Sequence, residues 1–293
     1  MVNGPEELIQ FDGWPDQLRR PVLVVGLEGW IDAGLGAGAA MATLLEETKT
    51  EVFATFDSDA LIDQRARRPV LRVVNGINTN LTWPEITLRR GESAERSIII
   101  LSGPEPDIRW KQFTREVVSV STRLGVELMV GLGAFPAPVP HTRSITLVAT
   151  ATTQDLAEEV GYLPATIDVP AGIQASLERG FAEASIPAVG MWARVPHYAA
   201  GMPYPAASEA LLQKLTELTG IDIDTNSLHE AAATAMGQLD RLISGSSEHS
   251  AMVRQLEQQH DDESHTQTAF DLRNLPSGDE IAAELERFLR GDE

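Results

Sequence analysis

Pro21-Val22-Leu23-Val24-Val25-Gly26, PVLVVG, is the stretch that decides the fold. A continuous apolar, β-branched run has no polar face to turn toward water. It reads as a strand covered on both sides, as in a parallel sheet between helices. Asp32, a residue type that caps helices, precedes an Ala/Gly/Leu-rich helix over 33–47. Residues 51–56 then read as the next strand.

Outward from there the alternation continues. Strands are expected over 70–74, 86–89 and 97–101. Trp110, Phe113, Val117, Val120 and Leu124 fall at near-helical spacing and predict an amphipathic helix over 107–124, closed by Gly125. Further strands are expected over 127–130, 144–149 and 186–193, with a helix over 171–184 whose first turn Pro170 suits. This order predicts an α/β chain with a three-layer α/β/α architecture.

After Pro205 the pattern is helical only, with helices expected over 206–219, 228–243 and 248–260. The stretch 261–278 is polar with few apolar anchors and is expected to be mobile. Ile281, Leu285, Phe288 and Leu289 suit a last short amphipathic helix. The chain is therefore read as an α/β core domain, 1–220, and an acidic helical extension, 221–293. The extension carries 16 acidic and 5 basic residues, a different surface from the rest of the chain.

Composition narrows the function. A chain of 293 residues can bury a core without disulfides or structural metals. It has no cysteine, which excludes a disulfide framework, thiolate metal sites and thiol catalysis. The formal net charge is −20, and the one basic cluster, Arg65, Arg67, Arg68 and Arg72, sits in an acidic chain. Nucleic-acid and anionic-membrane partners are therefore not expected. The first 20 residues have neither the basic nor the apolar region of a signal peptide, and a cytoplasmic location is expected.

Four motifs bear on chemistry. Gly34, Gly36 and Ala39 satisfy G-x-G-x-x-A, but Leu27 to Ala33 separate them from the strand that a dinucleotide site would have them leave at once. The favoured reading is close helix–sheet packing through small residues, and no phosphate-binding P-loop motif is present. The stretch GLGAFPAPVPHTR, 131–143, reads as a loop beyond a strand end and offers His141 and Arg143. The stretch VPHYAAGMPYP, 195–205, offers His197 and Tyr198 in the same way. Glu28 and Asp32, four apart, could act as an acid–base pair, although capping gives Asp32 a sufficient role. The candidates for ligand or partner binding are Glu28, Trp30, Asp32, Arg65, Arg109, Trp110, His141, Arg143, His197 and Tyr198. No catalytic residue, cofactor site or metal site is assigned. The run His260, Asp261, Asp262, Glu263, His265 reads as solvated charge.

Five segments occur together and in order: EGWIDAG (28–34), GPEPDIRW (103–110), GLGAFPAPVPHTR (131–143), PAGIQASL (170–177) and VPHYAAGMPYPAASEALL (195–212). This ordered set resembles the proteasome assembly chaperone 2 family, and most of all its longer actinobacterial branch, which adds C-terminal helices. The resemblance implies a phosphorylase/hydrolase-like fold with a mixed central sheet, and a homo-oligomer. It also implies a protein partner, since relatives act as chaperones for proteasome subunits. Some relatives dock through a tail of hydrophobic residue, tyrosine, any residue. This sequence ends Gly291-Asp292-Glu293, so that mode of docking is not expected. The function expected is that of a non-enzymatic protein-binding or assembly factor. The alternative is a small-molecule enzyme, such as an ATP-dependent carboxylate–amine ligase or a nucleoside- or phosphate-handling enzyme, working at the strand-end loops around Trp30, Asp32, His141 and His197.

Overall fold

The chain enters its sheet with a short strand, β1 (Ile9–Phe11), and then runs PVLVVG into β2 (Val22–Glu28). The computed structural model describes residues 7–29, 31–93 and 96–265. A 3-10 turn (Ala33–Leu35) leads into α1 (Gly36–Glu47), and β3 (Glu51–Phe56) and a one-turn helix, α2 (Ser58–Leu61), follow. Next come β4 (Val70–Val74), β5 (Ile77–Thr82), β6 (Thr87–Glu92) and β7 (Ser97–Pro104). The middle of the chain gives α3 (Trp110–Leu124), β8 (Leu128–Ala137), β9 (Leu147–Ala151), α4 (Gln154–Val160), α5 (Ile173–Glu183) and β10 (Ala188–Pro196). A 3-10 turn (His197–Ala199) then precedes α6 (Pro205–Thr219), α7 (Asn226–Ser244) and α8 (Ser247–His265).

Eight strands form one mixed sheet in the order β1-β3-β6-β7-β2-β8-β10-β9. β7, β2, β8 and β10 run parallel, while the strands flanking them pair antiparallel. β2 lies between two parallel neighbours, with Val22 to Val25 wholly buried. That is the physical content of PVLVVG: each of these side chains loses its water on one face or the other, worth roughly 1.5–3 kcal/mol apiece. Val22 and Val24 join α1, α6 and residues of α7 and α8 on one face. Leu23 and Val25 join α3 and α5 on the other. Three layers result.

The sheet departs from the sequence reading in places. The strand 70–74 is not part of the central sheet. It pairs with β5 in a separate two-stranded hairpin, turned by Asn75 and Gly76, both at positive φ. Asn-Gly with positive φ at both positions is the turn whose twist matches a two-residue hairpin. The stretch 131–143 is not all loop, since its first seven residues continue β8. Strand β1 and helix α4 are additions: one is three residues long, and the other buries no residue and so leaves no apolar stripe to read. Residues 261–265, expected to be mobile, continue α8, and the rest of 261–278 and the helix expected near Ile281 lie outside the described residues.

Gly125, at φ 72, ends α3, and Gly220, at φ 73, ends α6, each in the left-handed conformation that glycine adopts without steric cost. Among the described residues no helix is long and apolar enough to cross a membrane.

Candidate functional site

Open α/β sheets bind ligands where neighbouring parallel strands send their chains to opposite faces. Here β2 leads to α1 on one face, and its neighbour β7 leads to α3 on the other. The crevice between their carboxyl ends is bounded by Gly29 and Glu105, and Arg67 fills it. Its guanidinium donates to the Glu105 carbonyl at 2.8 Å and pairs with the Asp107 carboxylate. A Cβ on Gly29, whose φ is +124, would lie 2.3 Å from Arg67 Nη2. Glycine at 29 thus makes the seat for the arginine. The buried Glu105 accepts the N–H of Ile173 at 2.6 Å and so ties the start of α5 to the same corner.

The first candidates sit around this corner with structural partners. Glu28 is exposed, and its carbonyl accepts Glu105 N–H at 2.6 Å. Trp30 lies outside the described residues. Asp32 caps α1 from an unusual distance: Ala37 N–H donates to Oδ1 at 2.7 Å and Gly38 N–H to Oδ2 at 2.9 Å. Burial pushes the Asp32 carboxyl up, against the lowering effect of those N–H groups. With both oxygens engaged, Asp32 works as a cap and not as the partner of Glu28. The glycine motif packs as expected. Gly36 faces Ala134 and Ala207 so closely that a Cβ would lie 2.9 and 3.1 Å from theirs, and Ser208 Oγ donates to the Gly36 carbonyl at 2.8 Å.

Arg109 precedes α3 in the left-handed region, at φ 60, and its guanidinium donates to Gln112 Oε1 at 2.8 and 3.2 Å. Trp110 donates its indole N–H to the Pro106 carbonyl. Both tie down the first turn of α3. Arg65 is exposed ahead of the β4–β5 hairpin, and its backbone N–H donates to Asp63 Oδ1 at 2.9 Å.

His141, Arg143 and Tyr198 come together, although their loops are 55 or more residues apart. His141 is 1% exposed. Its backbone N–H donates to the Tyr198 hydroxyl at 2.9 Å, and its Nδ1 lies 2.8 Å from the same oxygen. A hydroxyl that accepts from that N–H still has its own proton to give to Nδ1, an arrangement that would turn Nε2–H toward Asp240 Oδ1 at 3.0 Å. His197 stacks edge-on against Tyr198 at 5.3 Å. Arg143 forks onto Asp261 at 2.9 and 2.8 Å and reaches Glu257 at 3.3 Å, while Thr142 donates to Glu257. Asp240 lies on α7, and Glu257 and Asp261 lie on α8. The strand-end loops therefore face the chain's own C-terminal helices. Burial pushes the Tyr198 hydroxyl above the ordinary phenol range, which disfavours a phenolate nucleophile.

A cavity of about 340 Å³ lies instead at the β1–β3 edge, lined by residues such as Leu8, Thr55 and Asp57. Among the described residues no group of three or more His, Cys, Asp or Glu is placed to hold a metal ion.

The sequence reading does not include the hairpin as a unit. Val70, Leu71, Val73, Val74, Ile77 and Leu81 are all exposed, Val70 at 70% and Ile77 at 66%. Among the described residues, apart from the pairing of its own two strands, the hairpin makes no substantial contact with another helix or strand. The dipeptide Asn75-Gly76 between two β-branched runs is the signal that finds it.

The fold is thus a mixed-sheet α/β/α protein with a protruding arm and with helices docked across its strand ends. The chain belongs to the PAC2 family, whose model matches residues 26–243. Its fold is similar to that of a Mycobacterium tuberculosis protein of unknown function, with 33% identity, a TM-score of 0.82, and 90% of this chain and 92% of that one covered. It is also similar to a Mycobacterium tuberculosis proteasome-assembly chaperone homologue, with 31% identity, a TM-score of 0.74, and 79% and 99% covered. A PAC2 family protein from Streptomyces avermitilis shows 34% identity, a TM-score of 0.70, and 80% and 99% covered. No curated protein matches the chain at a significant level.

Proposed function

We propose that this protein is a non-enzymatic assembly or protein-binding factor that works as a homo-oligomer. One observation carries the reading. The β4–β5 arm exposes six large apolar side chains and, among the described residues, makes no substantial contact with another helix or strand. A two-stranded hairpin is marginal in water on its own, and an apolar patch of this kind marks a protein contact. Its occupant on this reading is a second copy of the chain.

The strand ends support the same view. A small-molecule enzyme would need the crevice between β2 and β7, which Arg67 fills. It would also need the loops around His141 and Tyr198, which face α7 and α8. On this reading residues 221–293 are an extension to the core of residues 1–220, and its described helices, α7 and α8, meet the core at His141 and Arg143. The proteasome-assembly role named for one relative extends to this chain by family analogy: its partner is a proteasome subunit, bound by the assembled oligomer.

The test is the mass of the full chain in solution. Sedimentation velocity over a concentration series should give an oligomer, and Val73→Asp with Ile77→Asp should give a monomer that remains folded. A wild-type chain that is monomeric at every concentration overturns the reading. A thermal-shift screen with nucleotides, nucleosides and phosphosugars at millimolar concentration should be flat, since a specific ligand stabilises by mass action.

A further inference from the structure

One edge of the central sheet is β1, which pairs with β3 alone. Asp57 N–H donates to the Leu8 carbonyl at 2.7 Å, and Asp12 N–H donates to the Phe53 carbonyl at 2.9 Å. These bonds fix the phase of the ladder. Leu8 and Asp12 face β3, and Gln10 with them, so the alternation of an antiparallel pair turns the main-chain groups of Ile9 and Phe11 outward. Among the described residues no strand lies beyond them. The edge is also held in place: Leu8 is 1% exposed, and its N–H donates to Glu116 on α3 at 2.9 Å. A partner strand meets a preformed template there and orders little of this chain on binding.

The cavity of about 340 Å³ adjoins this edge, and Glu7, Gln10, Thr55, Asp57, Ser58 and Asp59 are among its lining. The two segments that build it, 7–18 and 51–64, carry seven acidic residues between them and no basic one. That charge decides the occupant. A second copy pairing edge to edge would bring the same acids face to face, so the edge repels its own kind. Among the described residues no three acids converge as metal ligands do. A guanidinium, wide and planar with five N–H donors, suits carboxylates and hydroxyls spread around a cleft. Beside the cleft Ile9 and Phe11 are only half-buried and leave apolar surface. Successive side chains of a strand point to opposite faces, so one strand can serve both surfaces. We propose that an extended segment of a partner protein, with basic and apolar residues alternating, adds to β1 as a further strand and sets a basic side chain in the cleft between Glu7 and Asp59. This inference rests on the reading of the chain as a protein-binding factor, and not on the arm.

The probe is a dye-labelled, end-blocked peptide of alternating Arg and Val, titrated with the full-length protein and followed by fluorescence anisotropy. It should bind, and its Glu–Val counterpart should not. N-methylation of one set of alternate peptide amides should abolish binding and of the other set should leave it, because a strand added at an edge bonds through one side only. Hydrogen exchange of the segment holding Ile9 and Phe11 should slow in the complex. Glu7→Gln with Asp59→Asn should weaken binding at least about tenfold. That variant spares Asp57, whose Oδ1 caps α2. Binding that survives both methylations, or exchange that slows elsewhere and not at β1, shows charge attraction to another surface and overturns the assignment. The arm variant, Val73→Asp with Ile77→Asp, should bind the peptide as wild type does, and loss of binding there would place the site on the arm instead. A wild type that forms an oligomer but does not bind the peptide removes this site and leaves the assembly reading standing. A wild type that is monomeric yet binds the peptide at β1 supports the site and removes the self-association.

Discussion

The Tyr198 hydroxyl lies 2.8 Å from Nδ1 of His141 and also accepts the His141 backbone N–H at 2.9 Å. One phenol oxygen thus holds both the ring and the main chain of a buried residue. Through Nε2 the ring reaches Asp240 on α7. A tyrosine after the last strand in this way fixes where the C-terminal helices meet the core.

Tyr198→Phe removes that oxygen and leaves a buried N–H and a ring nitrogen without their partner. The expected cost is about 1–3 kcal/mol, the penalty for orphaning buried polar groups. Urea denaturation reads the loss. Hydrogen exchange should quicken most in α7 and α8, and equal quickening in α3 would contradict the docking role.

Arg143→Ala should act on the same helices by a different force. Arg143 pairs with Glu257 and Asp261 in partly exposed positions, and Asp261 is held below the usual carboxylate range by that guanidinium. Salt screens exposed pairs of this kind. Limited proteolysis of α8 should therefore separate the variant from wild type at low salt, and the difference should shrink at 1 M salt. The Tyr198→Phe difference should persist there.

Asp32→Ala should lower stability by about 1–2 kcal/mol, the range for losing a helix cap. Asp32→Asn keeps one acceptor oxygen and should cost less. Denaturant midpoints give the order, and equal losses would mean that the one oxygen kept by asparagine contributes nothing to α1.

Much of this fold is legible because its strands obey local rules. PVLVVG reads as a buried strand because no polar residue interrupts it, and Trp110 to Leu124 read as a helix because their spacing is helical. The helix caps and the glycine packing around Gly36 are local too. The partners of the site are not. His141 meets Asp240 from 99 residues away, and Arg143 meets Glu257 from 114, so nothing near either loop announces a carboxylate. Arg67 reads as part of a basic cluster, and only the corner made by Gly29 and Glu105 shows it as the group that fills the crevice. The hairpin was legible from Asn75-Gly76, but its exposure was not, because apolar strands ordinarily predict burial.

Two glycines at positive φ should respond very differently to alanine. At Gly76, φ +81, a Cβ meets nothing within 4 Å, so only backbone strain of about 1 kcal/mol is expected. At Gly103, φ +126, the Cβ would lie 2.2 Å from the Glu85 carbonyl oxygen, a backbone atom that cannot swing aside. Gly103→Ala should cost roughly 3 kcal/mol or more and sharply reduce folded yield. Comparable melting temperatures for the two variants would contradict the packing of β7 against the start of β6.

Glu178 supplies a pH dependence whose sign follows from its surroundings. It lies on α5 above Gly190, where a Cβ would come within 2.3 Å of its Oε1. Thr150 donates to it at 3.1 Å, and Gln174 stands at 3.4 Å. Burial outweighs these hydrogen bonds and raises its carboxyl to about 7. The folded chain thus holds this proton more tightly than the unfolded chain does. The stabilisation is fully present below the unfolded value, near 4.5, and is lost as pH rises through 7. Glu178→Gln keeps the shape without the charge. Relative to that variant, wild type should lose up to about 3 kcal/mol between pH 4.5 and pH 8. Urea denaturation of both proteins across this range isolates the group, since every other carboxylate titrates in both. A wild type that gains on the variant as pH rises would mean that Glu178 is held as a carboxylate, with donors strong enough to overcome its burial.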